Sequence, residues 1–149
     1  MHYDFKKDLE DATKIEILVA RKIVHRIKNC EFITFSNGKG YDFECSINGT
    51  KEYVEIKSDY YARHSGNIVI EYEARGKPSG IATTQATIYA YAVMDGIDNF
   101  DLYIIRTSYL KELLNNGLYF DEVTGGDFGS KTKMYRVRLD KFKDYATAI

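Results

Sequence analysis

The dipeptide Asn48-Gly49 separates two runs in which apolar and polar residues alternate, YDFECSI before it and TKEYVEIK after it. Asn-Gly is the strongest short-range signal for a two-residue hairpin turn, because both turn positions need a positive φ. With these residues in the turn, Ile47 lies opposite Thr50, and every other pair follows by counting outward. The sequence therefore predicts a β-hairpin over residues 41–57 with a defined register.

The polar face of this hairpin carries the most informative side chains. Since side chains alternate between the two faces of a strand, one face is apolar and the other places Asp42 directly opposite Glu55. Opposite Cβ atoms lie about 4.5–5.5 Å apart, a separation at which like charges repel. A divalent cation with oxygen ligands would relieve this repulsion, and Lys57 lies two residues from Glu55 on the same face. The polar face is therefore a candidate cation site.

A helix is predicted over residues 8–28, because apolar residues recur there at spacings of three and four. These residues are Leu9, Ala12, Val19, Ile23 and Ile27. Glu16 lies at the centre of this stripe, where a carboxylate is costly unless it is paired or bound to a metal. Two interpretations stay open: Glu16 joins the two hairpin carboxylates, or the helix rotates slightly and Glu16 meets a lysine or arginine at the core boundary.

The rest of the chain is predicted to alternate between strands and helices. Strands are predicted over residues 32–35, 68–72, 100–106 and 134–139, helices over residues 81–94 and 109–115, and a flexible loop over residues 125–130. The order of helix, strands, helix and strand predicts an α/β fold with a mixed central sheet flanked by helices. We expect one domain that covers residues 1–149.

Charge and cysteine content narrow the functional classes. The net charge is −1, so a polyanionic partner would have to be held by local basic clusters. The N-terminal segment lacks the apolar stretch of a secretory signal, and no run approaches the ~18 apolar residues of a membrane span. This pattern predicts an intracellular, cytoplasmic protein without a membrane partner. Cys30 and Cys45 show no CxxC spacing and are expected to be buried thiols.

The combination of Glu16 on the first helix, Asp42 on one hairpin strand and Glu55-Ile56-Lys57 on the next resembles the PD-(D/E)XK nuclease superfamily. That superfamily has the restriction-endonuclease-like fold and includes Holliday junction resolvases and small phage-encoded nucleases. The resemblance covers residues 8–106 and implies an αβββαβ core. Two departures are visible: Tyr41 stands where the superfamily often has proline, and the IVIEYE segment adds a strand before the second helix.

The resemblance implies a metal-dependent endonuclease that hydrolyses phosphodiester bonds, in DNA above all, including branched DNA. Asp42, Glu55 and the main-chain carbonyl of Ile56 would hold Mg²⁺, for which Mn²⁺ can substitute. Lys57 would orient or help deprotonate the attacking water, or neutralise the phosphate. Glu16 would hold the metal through a water or bind a second ion. A junction resolvase would in addition work as a homodimer.

Further residues receive accessory predictions. Four basic residues in turns and loops are expected to hold the nucleic-acid backbone, namely Arg75, Lys77, Lys131 and Lys133. Glu71 is either an outer metal ligand or an ordinary solvent-facing residue. Gln85 and Tyr89 match a Q-x-x-x-Y pattern that some nucleases of the superfamily carry in the second helix, although core or surface roles fit them equally well.

Two alternatives to a nuclease stay open at this point. The first is a nuclease-like fold that binds nucleic acid without cutting it. The second is a structural interaction domain whose carboxylates form only a solvated hairpin face; such a domain would show no stabilisation by a metal ion.

Overall fold

The structure is a computed structural model that describes residues 13–38, 40–96, 98–126, 129 and 131–149. Its helices are α1 (Lys14–Arg26), α2 (Ala62–Ser65), α3 (Thr107–Asn115) and α4 (Leu139–Tyr145), with a 3-10 turn at Gly80–Ala82. Its strands are β1 (Cys30–Phe35), β2 (Phe43–Ile47), β3 (Thr50–Asp59), β4 (Asn67–Ala74), β5 (Lys77–Pro78), β6 (Ile88–Met94), β7 (Phe100–Arg106), β8 (Asp121–Gly125), β9 (Thr132–Arg138) and β10 (Thr147–Ala148).

The strands form two sheets. The central sheet has six strands in the order β1-β2-β3-β6-β7-β10, and the second sheet has four in the order β5-β4-β9-β8. Within the central sheet β3 and β6 are parallel, whereas the neighbouring pairs are antiparallel. The predicted class, α/β with a mixed central sheet and helices, is confirmed at this level.

The predicted hairpin register is confirmed. Asn48 and Gly49 adopt φ of 52° and 82°, and the β2–β3 ladder pairs Ile47 with Thr50 and Phe43 with Val54. The apolar face of this ladder is buried, with Phe43 and Val54 at 0% exposure. Helix α1 packs on that face, so the opposite, polar face of β3 remains available for a site.

The second sheet and helices α2, α3 and α4 pack on the other side of the central sheet, against β6 and β7. A second apolar core forms there, to which β6 contributes Tyr89 and Tyr91 while Ile68 and Ile70 come from β4. The hydroxyl of Tyr91 donates a hydrogen bond to the Val69 carbonyl at 2.8 Å. This contact ties β4 to the central sheet beside the polar face of β3.

The prediction of a helix over residues 81–94 is wrong. Its first part is the 3-10 turn and a loop, and its second part is β6, whose residues are all buried. Apolar layers cover both faces of β6, so its continuous apolar run IYAYAVM belongs to a central strand and not to one face of a helix. Between β3 and β6 the chain forms α2, β4, β5 and the 3-10 turn, so the second helix of the predicted αβββαβ core is replaced in this structure.

The remaining predicted boundaries agree in part. Strand β7 has the predicted bounds, and helix α3 begins two residues before its predicted start. Residues 8–12 of the first predicted helix, and residues 127, 128 and 130 of the predicted loop, lie outside the described residues. Several short elements were not predicted: α2, β5, the 3-10 turn, β8, α4 and β10. None of the helices in the described ranges is long and apolar enough to cross a membrane.

Candidate functional site

The carboxylate of Asp42 is fixed against β3 at the point where the hairpin ladder ends. Its main-chain N–H donates to the Val54 carbonyl at 2.8 Å, and its Oδ2 accepts the N–H of Ile56 at 2.6 Å. Because β2 begins only at Phe43, the Ile56 N–H has no strand partner on this side, and the Asp42 side chain satisfies it. Hairpin geometry therefore holds Asp42 directly beside the Glu55-Ile56-Lys57 segment.

Glu55 and Lys57 project from the polar face of β3. Their charged atoms, Oε1 and Nζ, are 3.6 Å apart, and 19% and 41% of the respective side chains are exposed. Burial raises the pKa of Glu55, and the charge of Asp42 raises it further, whereas Lys57 lowers it. The carboxylate of Glu55 is thus desolvated and only partly compensated by the lysine.

Glu16 joins this group from helix α1. It is the third residue of α1 and forms a capping box with Thr13: its N–H donates to Thr13 Oγ1 at 3.3 Å, and its Oε2 accepts the Thr13 N–H at 3.4 Å. Burial raises the pKa of Glu16, and the charge of Asp42 raises it further. The charge of Glu16 in turn contributes to the raised pKa of Glu55. Three carboxylates therefore lie within electrostatic range of one another.

The pKa of Asp42 is also raised, mainly by burial, while the Ile56 hydrogen bond and Lys57 oppose the shift. Negative charge is thus disfavoured on all three carboxyl groups in this environment, and Lys57 is the basic side chain whose charge acts on both Asp42 and Glu55. A group with more negative than positive charges favours an added cation.

Tyr89 lies beside Glu55 but not on a helix. It is opposite Glu55 in the parallel β3–β6 ladder and is 1% exposed. Burial raises the pKa of its phenol, and the charges of Glu55, Glu71 and Asp42 raise it further. Tyr89 therefore keeps its proton at neutral pH next to the carboxylates.

Gln85 is placed differently from the prediction. The prediction that the Q-x-x-x-Y pattern lies on a helix is wrong, because Gln85 is an exposed loop residue before β6. Its main-chain N–H donates to the carbonyl of Gly40 at 3.0 Å, and the hydroxyl of Thr84 donates to the same carbonyl at 3.0 Å. This loop therefore supports the segment that precedes Asp42.

A cleft of about 180 Å³ opens between β3 and β4. Lys57 and Asp59 line one wall, Glu71 lines the other, and Tyr89 lies at its base. Asp59 is already engaged, since its Oδ1 accepts the N–H groups of Tyr61 and Ala62 at 2.8 and 2.9 Å at the start of α2. Glu71 is half-buried in this wall, which keeps both of its predicted roles open.

The four predicted nucleic-acid contacts lie at one end of the second sheet. Arg75 is in the β4–β5 turn, Lys77 pairs with Ala74 in the ladder, and Lys131 directly precedes β9. Lys133 lies opposite Glu73 and forms an ion pair with it at 3.1 Å. All four are exposed, but the charge of Lys133 is partly neutralised within the protein.

Sequence reasoning missed a second acidic residue on β3. The side chain of Glu52 is 5% exposed and forms an ion pair with Arg106, with Nη2–Oε2 at 2.9 Å and Nη1–Oε1 at 3.3 Å. The hairpin count already places Glu52 opposite Cys45 on the apolar face, and a charged residue on such a face was the available signal. Cys30 and Cys45 are free and buried, as predicted, and burial raises the pKa of Cys45 to about 12.

The carboxylates match a hard divalent cation in donor chemistry but are not closed into a preformed shell. Asp42, Glu55 and Glu16 offer the oxygen donors that Mg²⁺ prefers. Within the described ranges, however, no three His, Cys, Asp or Glu side chains are grouped closely enough to hold a metal ion as they stand.

No model of a known protein family matches the chain, and no curated protein matches it. Functional inference therefore rests on the site itself.

Proposed function

We propose that this protein is a metal-dependent nuclease of the PD-(D/E)XK type that hydrolyses phosphodiester bonds in DNA. One observation carries the proposal: Asp42, Glu55 and Lys57 share one end of a hairpin face, and Glu16 reaches the same group from α1. The order of a first helix, three consecutive antiparallel strands and a strand parallel to β3 supports this proposal, although the second helix of the implied core is replaced.

Metal binding is assigned to oxygens of Asp42, which directly precedes β2, and of Glu55 and Ile56 on β3. Asp42 would contribute the carboxylate oxygen that does not accept the Ile56 N–H, and Glu55 would contribute its carboxylate. The N–H and C=O of one strand residue point to the same side, so the Ile56 carbonyl faces Asp42 as well. Bound Mg²⁺ would stabilise charge on the phosphate and lower the pKa of a coordinated water.

Lys57 is assigned to the reaction and not to metal capture. A protonated ammonium has no lone pair for a cation, and 41% of its side chain is exposed at the cleft. From there its positive charge can orient the attacking water or neutralise a phosphate oxygen. Glu16, which already caps α1, would act through a water or hold a second ion.

The test is a cleavage panel with matched labelled substrates: a four-way junction, a flap, a duplex, and single strands of DNA and RNA. We expect cleavage of at least one DNA substrate in Mg²⁺ or Mn²⁺, no cleavage in EDTA, and loss of cleavage in Asp42→Asn. Glu31→Gln is the matched control, because Glu31 is an exposed carboxylate on β1. No cleavage of any substrate, or cleavage that EDTA leaves unchanged, would contradict the proposal.

A second candidate is a nucleic-acid-binding module that no longer cuts. The observation that favours it is the absence, among the described side chains, of a ready-made group of three metal ligands. The same panel separates the two candidates, since a non-cutting module would shift labelled DNA in EDTA and leave it intact in Mg²⁺ and Mn²⁺.

A further inference from the structure

A cavity of about 420 Å³ lies between α3, the segment after it and α4, and shares no lining residue with the β3–β4 cleft. Aromatic side chains line it at Tyr119, Phe120 and Tyr145, and cationic ones at Arg138 and Lys141. None of the described residues that line it is acidic. Its volume lies within the range of about 300–1,000 Å³ for small-ligand sites.

The aromatic rings of this cavity are exposed. Phe120 and Tyr145 are 42% and 44% exposed, and the neighbouring Tyr109 is 41% exposed. The rings of Tyr109 and Tyr145 pack edge to face with centroids 6.3 Å apart. Phe120, Tyr145 and Tyr109 therefore form one row, which extends from the cavity past Tyr145 to Tyr109. They are half of the large apolar side chains that are exposed in the described chain.

The cations beside these rings are not neutralised equally. The guanidinium carbons of Arg136 and Arg138 lie 5.0 and 4.9 Å from the centroid of the Phe120 ring. Arg136 forms an ion pair with Asp121, whereas Arg138 and Lys141 form none within the described residues. Lys141 and Tyr145 are one helical turn apart, so they share a face of α4. Two cations without an ion pair among the described residues therefore flank the exposed rings.

We propose that this row is a second binding surface, which takes an unpaired stretch of nucleic acid with bases on Phe120, Tyr145 and Tyr109 and phosphates on Arg138 and Lys141. Flat aromatic faces combined with cations suit a ligand that is both planar and anionic, as single-stranded nucleic acid is. A row of several rings suits successive bases better than one free nucleotide. A duplex keeps its bases stacked and would leave these rings unused.

This inference rests on the proposed function in one respect, that the ligand is nucleic acid, but it does not require cleavage. The surface would hold a single-stranded arm of a substrate whose phosphodiester is cut elsewhere. Substrates with an unpaired arm, such as flaps, would then bind more tightly than a blunt duplex of equal length.

The experiment is a fluorescence-anisotropy titration in EDTA with a labelled single strand of about 12 nucleotides, which is within the site sizes of single-strand binders. We expect Phe120→Ala and Tyr145→Ala each to weaken binding by about fivefold or more, the lower end of what an aromatic–base stack contributes. Arg138→Gln should weaken binding and reduce its salt dependence. Phe120→Tyr should bind as the native protein does.

The matched controls are Tyr61→Ala and Lys51→Gln. Tyr61 is 79% exposed and lies at the start of α2, and Lys51 is exposed on β3, so neither lines the cavity. Thermal unfolding of each variant checks that it folds. Any one of four results would overturn the inference. These are unchanged affinity in Phe120→Ala, an equal loss of affinity in Tyr61→Ala, equal affinity of the native protein for the blunt duplex, and full displacement of the strand by AMP.

Failure of this inference can be told apart from failure of the proposed function. Binding in EDTA that depends on Phe120, without cleavage in any metal, would contradict the nuclease proposal alone. Metal-dependent cleavage with unchanged binding by Phe120→Ala would contradict the second surface alone.

Discussion

Glu52 and Glu55 lie three residues apart on the same strand, yet their surroundings are opposite in charge. Glu52 is on the buried face and is matched by the guanidinium of Arg106. Glu55 is on the polar face, where Asp42 and Glu16 add negative charge and Lys57 is 3.6 Å away. Glu52 is thus a carboxylate that already has its own counter-charge. Glu55, by contrast, belongs to an acidic group that an additional cation would stabilise.

The alternation of side chains along β3 explains the difference. The face that carries Glu52 packs under α1, where an unpaired charge would be too costly, so the arginine accompanies it. The face that carries Glu55 borders the cleft, where partial exposure tolerates the repulsion among carboxylates. One strand therefore provides both a structural ion pair and a candidate metal site.

The largest expected effect is that of Lys57→Ala on the rate of cleavage. Single-turnover cleavage should fall by about 10²–10⁴-fold, because a positioned acid–base or electrostatic group contributes this much to a rate. Metal affinity and DNA affinity should change little. Lys51→Ala is the matched control, since Lys51 is exposed on the same face of the same strand. A normal rate in Lys57→Ala would remove the lysine from the mechanism.

Stability should respond to the two glutamates in opposite ways. Glu52→Gln leaves Arg106 without its ion pair and is expected to lower the free energy of unfolding by about 1–3 kcal/mol, a range that reflects charged hydrogen bonds with a largely exposed arginine. Metal-free Glu55→Gln should lose little or gain slightly, since it relieves repulsion. Urea unfolding measures both, and equal losses would contradict the distinction.

The pH dependence of stability should follow the raised pKa values of Glu16, Asp42 and Glu55. Between their ordinary values, near about 4, and the raised values, the native state binds more protons than the unfolded chain. The metal-free native state is therefore destabilised as the pH rises through this window. The double variant Asp42→Asn/Glu55→Gln should lack most of this loss.

The measurement is urea unfolding of the metal-free native protein and the double variant across this window, with the difference between them plotted against pH. We expect the native protein to lose stability relative to the variant as the pH rises, and saturating Mg²⁺ to reverse the loss. A relative gain of stability by the native protein over the same window would contradict the raised pKa values.

The smallest expected effects concern the basic end of the second sheet, where paired and unpaired cations can again be compared. Neutralising Arg75, Lys77 or Lys131 should weaken binding to all duplex sequences alike and reduce the log–log salt slope by roughly one for each phosphate that the variant no longer binds. Lys133→Gln should have a smaller effect, because Glu73 already pairs with that lysine. A sequence-selective decrease in affinity would indicate base recognition instead.

Local signals allowed part of the fold to be predicted. An Asn-Gly turn between two period-two runs determines a register without tertiary information, and the pairing of Phe43 with Val54 confirms it. The two buried cysteines and strand β7 were predictable for similar reasons. The short elements β8, α4 and β10 have two to seven residues each, too few for a periodic signal to stand out.

A helix was wrongly predicted over residues 81–94 because tertiary packing, which the sequence does not show, determines the structure of this segment. A continuous apolar run is compatible with a buried helix or a buried strand, and only the layers on both sides of β6 decide between them. The tyrosines and β-branched residues of IYAYAVM were the local signal for a strand. The same error placed Tyr89 on a helix, although its neighbour in the ladder is Glu55. The hairpin count placed Glu52 on the apolar face, but its partner, Arg106, could not be identified because it is distant in sequence.

The most direct test of this account is whether Asp42 and Glu55 share one divalent ion. Calorimetric titration with MgCl₂ or MnCl₂ should show binding to the native protein that Asp42→Ala abolishes. Glu52→Gln, on the same hairpin but paired with Arg106, should retain it if unfolding experiments show that the variant is folded. Binding of unchanged affinity in Asp42→Ala, or no binding to the native protein, would contradict the shared ion.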